Sequence, residues 1–236
     1  MRGLLVRVAA DQSEGGGSWN APIDSRSGQF VYVAIPECSP VLSGMNKPYS
    51  ALTPALHGLG SKLPPHLSIR EMHLDPDFDY LTYGAQGQRA RQIQDKCGKG
   101  DLIVFYAELR DIHPSSQLVY AIIGLYFVDS IEVAVNVPIS RRHENAHSRR
   151  VLPSGAADII VRARLGESGR LERCIPIGEY RDRAYRVRRD LLNLWGGLTM
   201  NDGYLQRSTQ LPQFRNAKQF YDWFLSCRVK LLARNN

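Results

Sequence analysis

Apolar positions along the chain gather into short runs separated by glycine, proline and acidic turns. The first run, residues 4–10, predicts a strand that ends at Asp11 and a glycine-rich turn, Gly15-Gly16-Gly17-Ser18-Trp19-Asn20. Side chains at such a strand end are presented to a ligand. Residues 30–35 alternate aromatic and small side chains, predict a second strand, and stop at Pro36-Glu37. Between 38 and 68, Pro40, Pro48, Pro54, Pro64 and Pro65 together with three glycines leave no room for a long regular element. That stretch reads as a long connector, a kind of segment that often carries function. Residues 87–97 are strong helix formers closed by Gly98 and Gly100, which predicts a helix.

Two further apolar runs, 100–107 and 118–131, flank a polar turn at 113–116 and predict an antiparallel hairpin in the core. In 157–165, Val161, Ala163 and Leu165 alternate with Arg162 and Arg164, the pattern of a strand with one apolar and one cationic face. Leu191, Leu192, Leu194 and Trp195 form an apolar turn before Gly196-Gly197. Residues 217–232 carry Phe220, Trp223, Phe224 and Val229 at helical spacing. Strands and helices intermix without a βαβ rhythm. The expectation is one α+β domain over 1–236, with a mixed, mostly antiparallel sheet or partly closed barrel flanked by helices.

Charge adds a partner class. The chain is formally +7, but residues 1–140 hold 11 basic and 14 acidic side chains, while 141–236 hold 19 and 9. An acidic, ligand-lining part is thus followed by a basic part, and a nucleic acid or a phosphorylated small molecule is the partner to expect. No apolar stretch approaches the roughly 18 residues of a bilayer span, so no membrane is expected. The first apolar run is broken by Arg7, unlike a secretory signal. Four scattered cysteines without a CxxC pair fit neither a disulfide framework nor a structural zinc site, and a reducing cytoplasm is the expected compartment. Protein partners are not indicated.

Candidate chemistry falls in three places. In Met-His-Leu-Asp-Pro-Asp-Phe-Asp-Tyr, His73 and Asp75 alternate on an extended segment and share a face, Pro76 keeping Asp75 out of a helix. An imidazole beside a carboxylate serves as a general base or as a metal-ligand pair; the alternative is turn chemistry by Asp-Pro-Asp. Asn145 and His147 lie among Arg141, Arg142, Arg149 and Arg150, whose guanidinium forks suit phosphate. Neighbouring cations are expected to keep His147 neutral; the alternative is a solvated loop. Trp19 and Tyr83 could sandwich a base, with Arg89 nearby, although an isolated aromatic is more often core. Gln206 and Arg207 offer base or phosphate contacts. Gly15 to Gly17 is not a nucleotide-triphosphate loop, and the nucleophile-elbow and zinc-deaminase patterns are missing from the sequence.

The series Asp11, Trp19-Asn20-Ala21-Pro22, 30–37, His73-Leu74-Asp75-Pro76, Tyr83-Gly84, 100–106, Asn145-Ala146-His147 and Gly203-Tyr204-Leu205-Gln206-Arg207 resembles the nucleotide modification-associated domain family, third class. The resemblance spans nearly the whole chain and implies a role in nucleic-acid base modification, often in phage or defence settings, without handing over a mechanism. The 100–106 strand with Ala121 to Tyr126 also resembles the hairpin of PUA-like domains such as EVE and ASCH modules. The expected site therefore has Asp11, Glu37, His73, Asp75 and His147 as catalytic groups. Trp19, Asn20, Tyr83, Arg89, Arg141, Arg142, Asn145, Arg149, Arg150, Gln206 and Arg207 are expected to bind nucleotide or DNA. No residue is assigned to a metal, and the sequence names no cofactor. The alternatives are a non-catalytic reader of modified bases and a basic structural or partner-binding protein.

Overall fold

A computed structural model describes the chain except for residues 14, 18, 114–117 and 207. The expected hairpin forms its centre. Strands Leu102–Asp111 and Leu118–Val133 pair antiparallel, from Leu102 opposite Phe127 to Arg110 opposite Leu118, with a register shift between Phe105 and Tyr106. The apolar run is continuous because the sheet is covered on both faces. Ile103, Phe105, Ala107 and Leu109 enter one core, while Leu102, Val104 and Tyr106 enter the other. Most of the predicted turn at 113–116 lies outside the described residues.

The sheet extends from this hairpin in both directions. Gly3–Arg7 lies parallel to the first hairpin strand, Gly3 opposite Leu102 and Arg7 opposite Tyr106. The long second strand pairs with Gly169–Pro176 along one stretch and with Ile159–Ala163 along the next, and Ile159–Ala163 pairs in turn with Thr82–Ala85. With the short strands Pro22–Ile23 and Leu231–Leu232 this is an eight-stranded mixed sheet, mostly antiparallel and not closed into a barrel. The α+β reading holds and the barrel alternative does not. Strands from the acidic and basic parts are interleaved in this one sheet, so the change of charge at residue 140 is not a structural boundary.

Packing sets several local outcomes. Gly124 occurs mid-strand because a β-carbon there would approach the Phe78 ring to 2.6 Å. That ring makes edge contacts to Tyr32, Phe105 and Tyr126. The predicted helix forms as Gly87–Lys96. The predicted strand at 30–35 is buried from Phe30 to Ala34 but mostly unladdered; Phe30 bridges to Ile23, and Ile35–Pro36 pairs with Met72–His73. The connector contains three short helical turns, Tyr49–Leu52, Thr53–Gly58 and Pro65–Ser68. It is tied down by the Tyr49 hydroxyl, which donates to the Ala34 carbonyl at 2.7 Å. The C-terminal helix is Ala217–Ser226, shorter than expected. Beyond it the chain turns at Arg228, where φ is +52°, and Leu231–Leu232 joins the sheet beside Gly169–Pro176.

Candidate functional site

A cleft of about 270 Å³ opens where the first strand, the Thr82–Ala85 strand and the segment after Leu205 meet. Its floor is built by three short pieces of chain. The Ile35–Pro36 and Met72–His73 ladder places His73 opposite Ile35, and Asp75 follows two residues later. Thr82–Ala85 contributes Tyr83 and Gly84. The helix Ala146–Arg149 contributes His147 and is capped by Asn145, whose side-chain oxygen accepts from the His147 backbone N–H at 2.9 Å. Asn145 Nδ2 donates to Asp75 Oδ1 at 3.0 Å, so one asparagine fixes both the helix start and the carboxylate.

Both imidazoles are held in the same manner. His73 Nδ1 lies 2.6 Å from Glu37 Oε2, and His147 Nδ1 lies 2.6 Å from Asp158 Oδ2. A carboxylate accepts only, so each Nδ1 carries a proton, and in the neutral ring the lone pair lies on Nε2. The rings meet edge to face with centroids 4.8 Å apart, and His147 Nε2 is 3.8 Å from Asp75 Oδ2. Asp75 Oδ1 accepts from the Gly84 N–H at 2.7 Å and from Asn145, which leaves Oδ2 turned towards the histidine. Arg150 braces the other side: its guanidinium donates to both Glu37 oxygens and lies 3.1 Å from His73 Nδ1.

Burial and these contacts set the charges. Burial lowers the His73 pKa, against the opposing hydrogen bond that the ring donates to Glu37, and so favours the neutral ring. Burial would raise Glu37, but hydrogen bonds from His73 and Arg150 outweigh it and hold the carboxyl at about 2. The hydrogen bond from His147 holds Asp158 below the usual carboxylate range. Asp75 behaves differently: burial raises it to about 6 despite the nearby His147, Gly84 N–H and Asn145. A carboxyl with a raised pKa binds protons more tightly when folded. Its contribution to stability is therefore fully present below about pH 4 and lost as pH rises through about 6. Asp75→Asn keeps an acceptor for Gly84 and removes the charge. It is expected to stabilise the ligand-free protein by about 2 kcal/mol at pH 8, with the gain disappearing by pH 4, in urea unfolding at both pH values.

A family model described as nucleotide modification associated domain 3 matches residues 2–202, a span that includes all of these floor residues. The chain belongs to that family. No curated protein and no solved structure matches it. The comparisons give no support to the PUA-like resemblance of the hairpin.

In this nucleotide modification associated domain the expected residues divide into three groups. His73, Asp75, His147, Asp11, Tyr83, Arg89, Arg150 and Gln206 line the cleft. Glu37 stands behind His73 as its hydrogen-bond partner, and Asn145 stands behind Asp75. The rest are placed elsewhere. Arg149 is buried in an ion pair with Asp77 and donates to the His143 carbonyl, so it is not presented to phosphate. Arg141 pairs with Glu144, and Arg142 donates to the Val137 carbonyl; both lie outside the cleft. Asn20 is buried and donates to Glu108, and Trp19 packs against the core. Arg207 lies outside the described residues.

Two roles change. Asp11 reaches the cleft wall with both oxygens engaged: Oδ1 accepts from Ser13, and Oδ2 pairs with Arg7 at 2.8 Å. It therefore anchors Arg7, a lining residue that the sequence reading passed over. Tyr83 is buried edge-on against Phe105, so no base can be sandwiched between it and Trp19. The carboxylates around His147 are Asp158 and Asp75, in place of the expected field of arginines. Asp158, the carboxylate behind His147, is a second residue that the sequence reading passed over. Its sole trace in the sequence is an acid directly before the apolar run Ile159-Ile160-Val161.

Proposed function

We propose that this chain is an enzyme of nucleotide modification that acts on a single nucleotide, or on a base turned out of its strand, held in the cleft. The observation that carries this reading is the convergence of two carboxylate-braced imidazoles and one free carboxylate oxygen on the floor. A protein that merely reads a base has no need of two carboxylate-braced imidazoles in its cleft lining beside a carboxylate whose burial costs stability. The cleft volume, about 270 Å³, falls just under the usual range of ligand pockets, roughly 300 to 1,000 Å³, which favours one nucleotide over a duplex. Extrusion of a base is the usual way a polymer substrate reaches such a site. Around the cleft, Arg89 supplies charge for phosphate, while Gln86 and Gln206 supply donors and acceptors for a base edge.

Mass spectrometry of nucleosides tests this directly, with the protein incubated in turn with nucleotides, single-stranded DNA and duplex DNA. A new nucleoside mass is expected, and Arg89→Ala is expected to weaken substrate binding about tenfold, the loss of one charge-assisted contact. Because a single nucleotide brings few phosphates, log K against log salt is expected to be shallower than about −2. Tight binding of a modified base with no new mass would favour the reader. A slope near −6 or steeper would mean that a long polyanion track, and not this cleft, dominates recognition.

A further inference from the structure

We infer that His73, Asp75 and His147 bind one divalent first-row transition metal ion, through the two Nε2 atoms and one Asp75 oxygen. Each of the three residues offers one potential ligand atom within 4.8 Å of those of the other two. Ligands about 2.1 Å from a metal lie roughly 3.4 Å apart in a tetrahedral arrangement, so small side-chain rotations close the set. His147 Nε2 and Asp75 Oδ2, at 3.8 Å, are nearly at that spacing already.

Three features separate this cluster from an ordinary pair of buried histidines. Among the described residues, neither Nε2 has a hydrogen-bond partner, although His73 is 5% and His147 3% exposed. Both rings line the same cleft, and neither Nε2 is among the sealed, partnerless side-chain atoms of the fold, so each is accessible to a ligand from the cleft. Secondly, each Nδ1–H is held by a carboxylate, the outer arrangement that fixes the tautomer and raises the basicity of metal-ligating histidines. Finally, Asp75 is anchored through Oδ1 alone, by Gly84 and Asn145, so that Oδ2 remains for a ligand. Two imidazoles and one carboxylate, with no thiolate in the cleft lining, suit borderline divalent ions and leave coordination positions open towards the cleft. This deepens the proposed function, on which it rests only for what the ion would serve.

The test contains no nucleotide. The chelator-stripped full chain is titrated with Co²⁺ and followed by calorimetry and visible absorption. Binding of one Co²⁺ per chain is expected, with weak visible bands and no thiolate charge-transfer band in the near ultraviolet. His73→Ala and His147→Ala are each expected to weaken binding at least 100-fold. Glu37→Gln and Asp158→Asn, which preserve shape but alter the brace, are expected to weaken it about 10- to 100-fold. His57→Ala, at an exposed histidine away from the cleft, is expected to leave it unchanged. No Co²⁺ binding by the folded wild-type chain up to millimolar concentration overturns the inference. So does a thiolate band, or binding that survives both Glu37→Gln and Asp158→Asn unaltered. Co²⁺ binding without any modified nucleoside would retain the metal site and discard the proposed function. A modified nucleoside formed without Co²⁺ binding would do the reverse.

Discussion

Arg149→Ala is expected to destabilise the fold by about 3 to 5 kcal/mol, the cost of removing one member of a buried ion pair. Its guanidinium is 3% exposed and faces an Asp77 carboxylate that is fully buried. Asp77 also accepts from the Asn235 side chain and from the Asp79 N–H, and Arg149 donates to the His143 carbonyl at 2.8 Å. Truncating the arginine leaves a buried carboxylate with only neutral donors, and it also frees the end of the helix that carries His147. Arg141→Ala is the contrasting case. Arg141 is exposed and paired with Glu144 at 3.3 Å, and its loss is expected to cost under about 1 kcal/mol. Urea unfolding of both variants, with the slope monitored, separates the two. Replacing both partners by apolar residues, as in Arg149→Met with Asp77→Leu, is expected to recover most of the loss, because no charge then stays unpaired. If Arg149→Ala folds as stably as wild type and loses nucleotide affinity instead, Arg149 is a phosphate ligand after all and the buried pair is secondary.

Arg149 also shows where reading the sequence reaches its limit. Its partner Asp77 is 72 residues away, and the partner of Arg150, Glu37, is 113 residues away. Charge counted by position along the chain cannot register such pairing. The basic part of the sequence therefore reads as a phosphate-gripping surface, although several of its arginines are neutralised inside the fold. Arg162 meets Glu132 and Glu144, and Arg181 meets Glu179 and Asp202. Local signals fared better. The alternation that puts His73 and Asp75 on one face needs only two residues and a following proline, and both side chains do reach the cleft. The central hairpin was legible because its two apolar runs are long and adjacent in sequence. Glu37 stands behind His73 and outside the cleft lining, and Asp158 was missed, for one reason. The place of a carboxylate behind an imidazole depends on long-range register: Ile35–Pro36 beside Met72–His73 for Glu37, and Ile159–Ala163 beside Thr82–Ala85 for Asp158.

That same register makes Gly84 the most sensitive small residue of the site. A β-carbon at Gly84 would fall 2.1 Å from His147 Cδ2 and 2.7 Å from Asn145 Oδ1, far inside contact distance. Relief by backbone movement would break the 2.7 Å hydrogen bond from Gly84 N–H to Asp75. Relief by ring movement would pull His147 from Asp158 and out of its edge contact with His73. Either way the floor of the cleft loses its geometry by about an ångström, a displacement that can cost 100-fold in rate. Gly84→Ala is accordingly expected to reduce nucleoside modification at least 100-fold and to weaken Co²⁺ binding in parallel, for a stability loss of about 1 to 3 kcal/mol from overpacking. Nucleotide binding is expected to fall much less, since Arg89 and Gln206 are untouched by the added methyl group. Gly58→Ala, at the end of helix Thr53–Gly58 with nothing within 4 Å of the new carbon, is the control and should leave rate and metal affinity as in wild type. Full turnover by Gly84→Ala would mean that His147 can move freely without consequence, and the chemistry would then have to be sought among groups that do not depend on that ring.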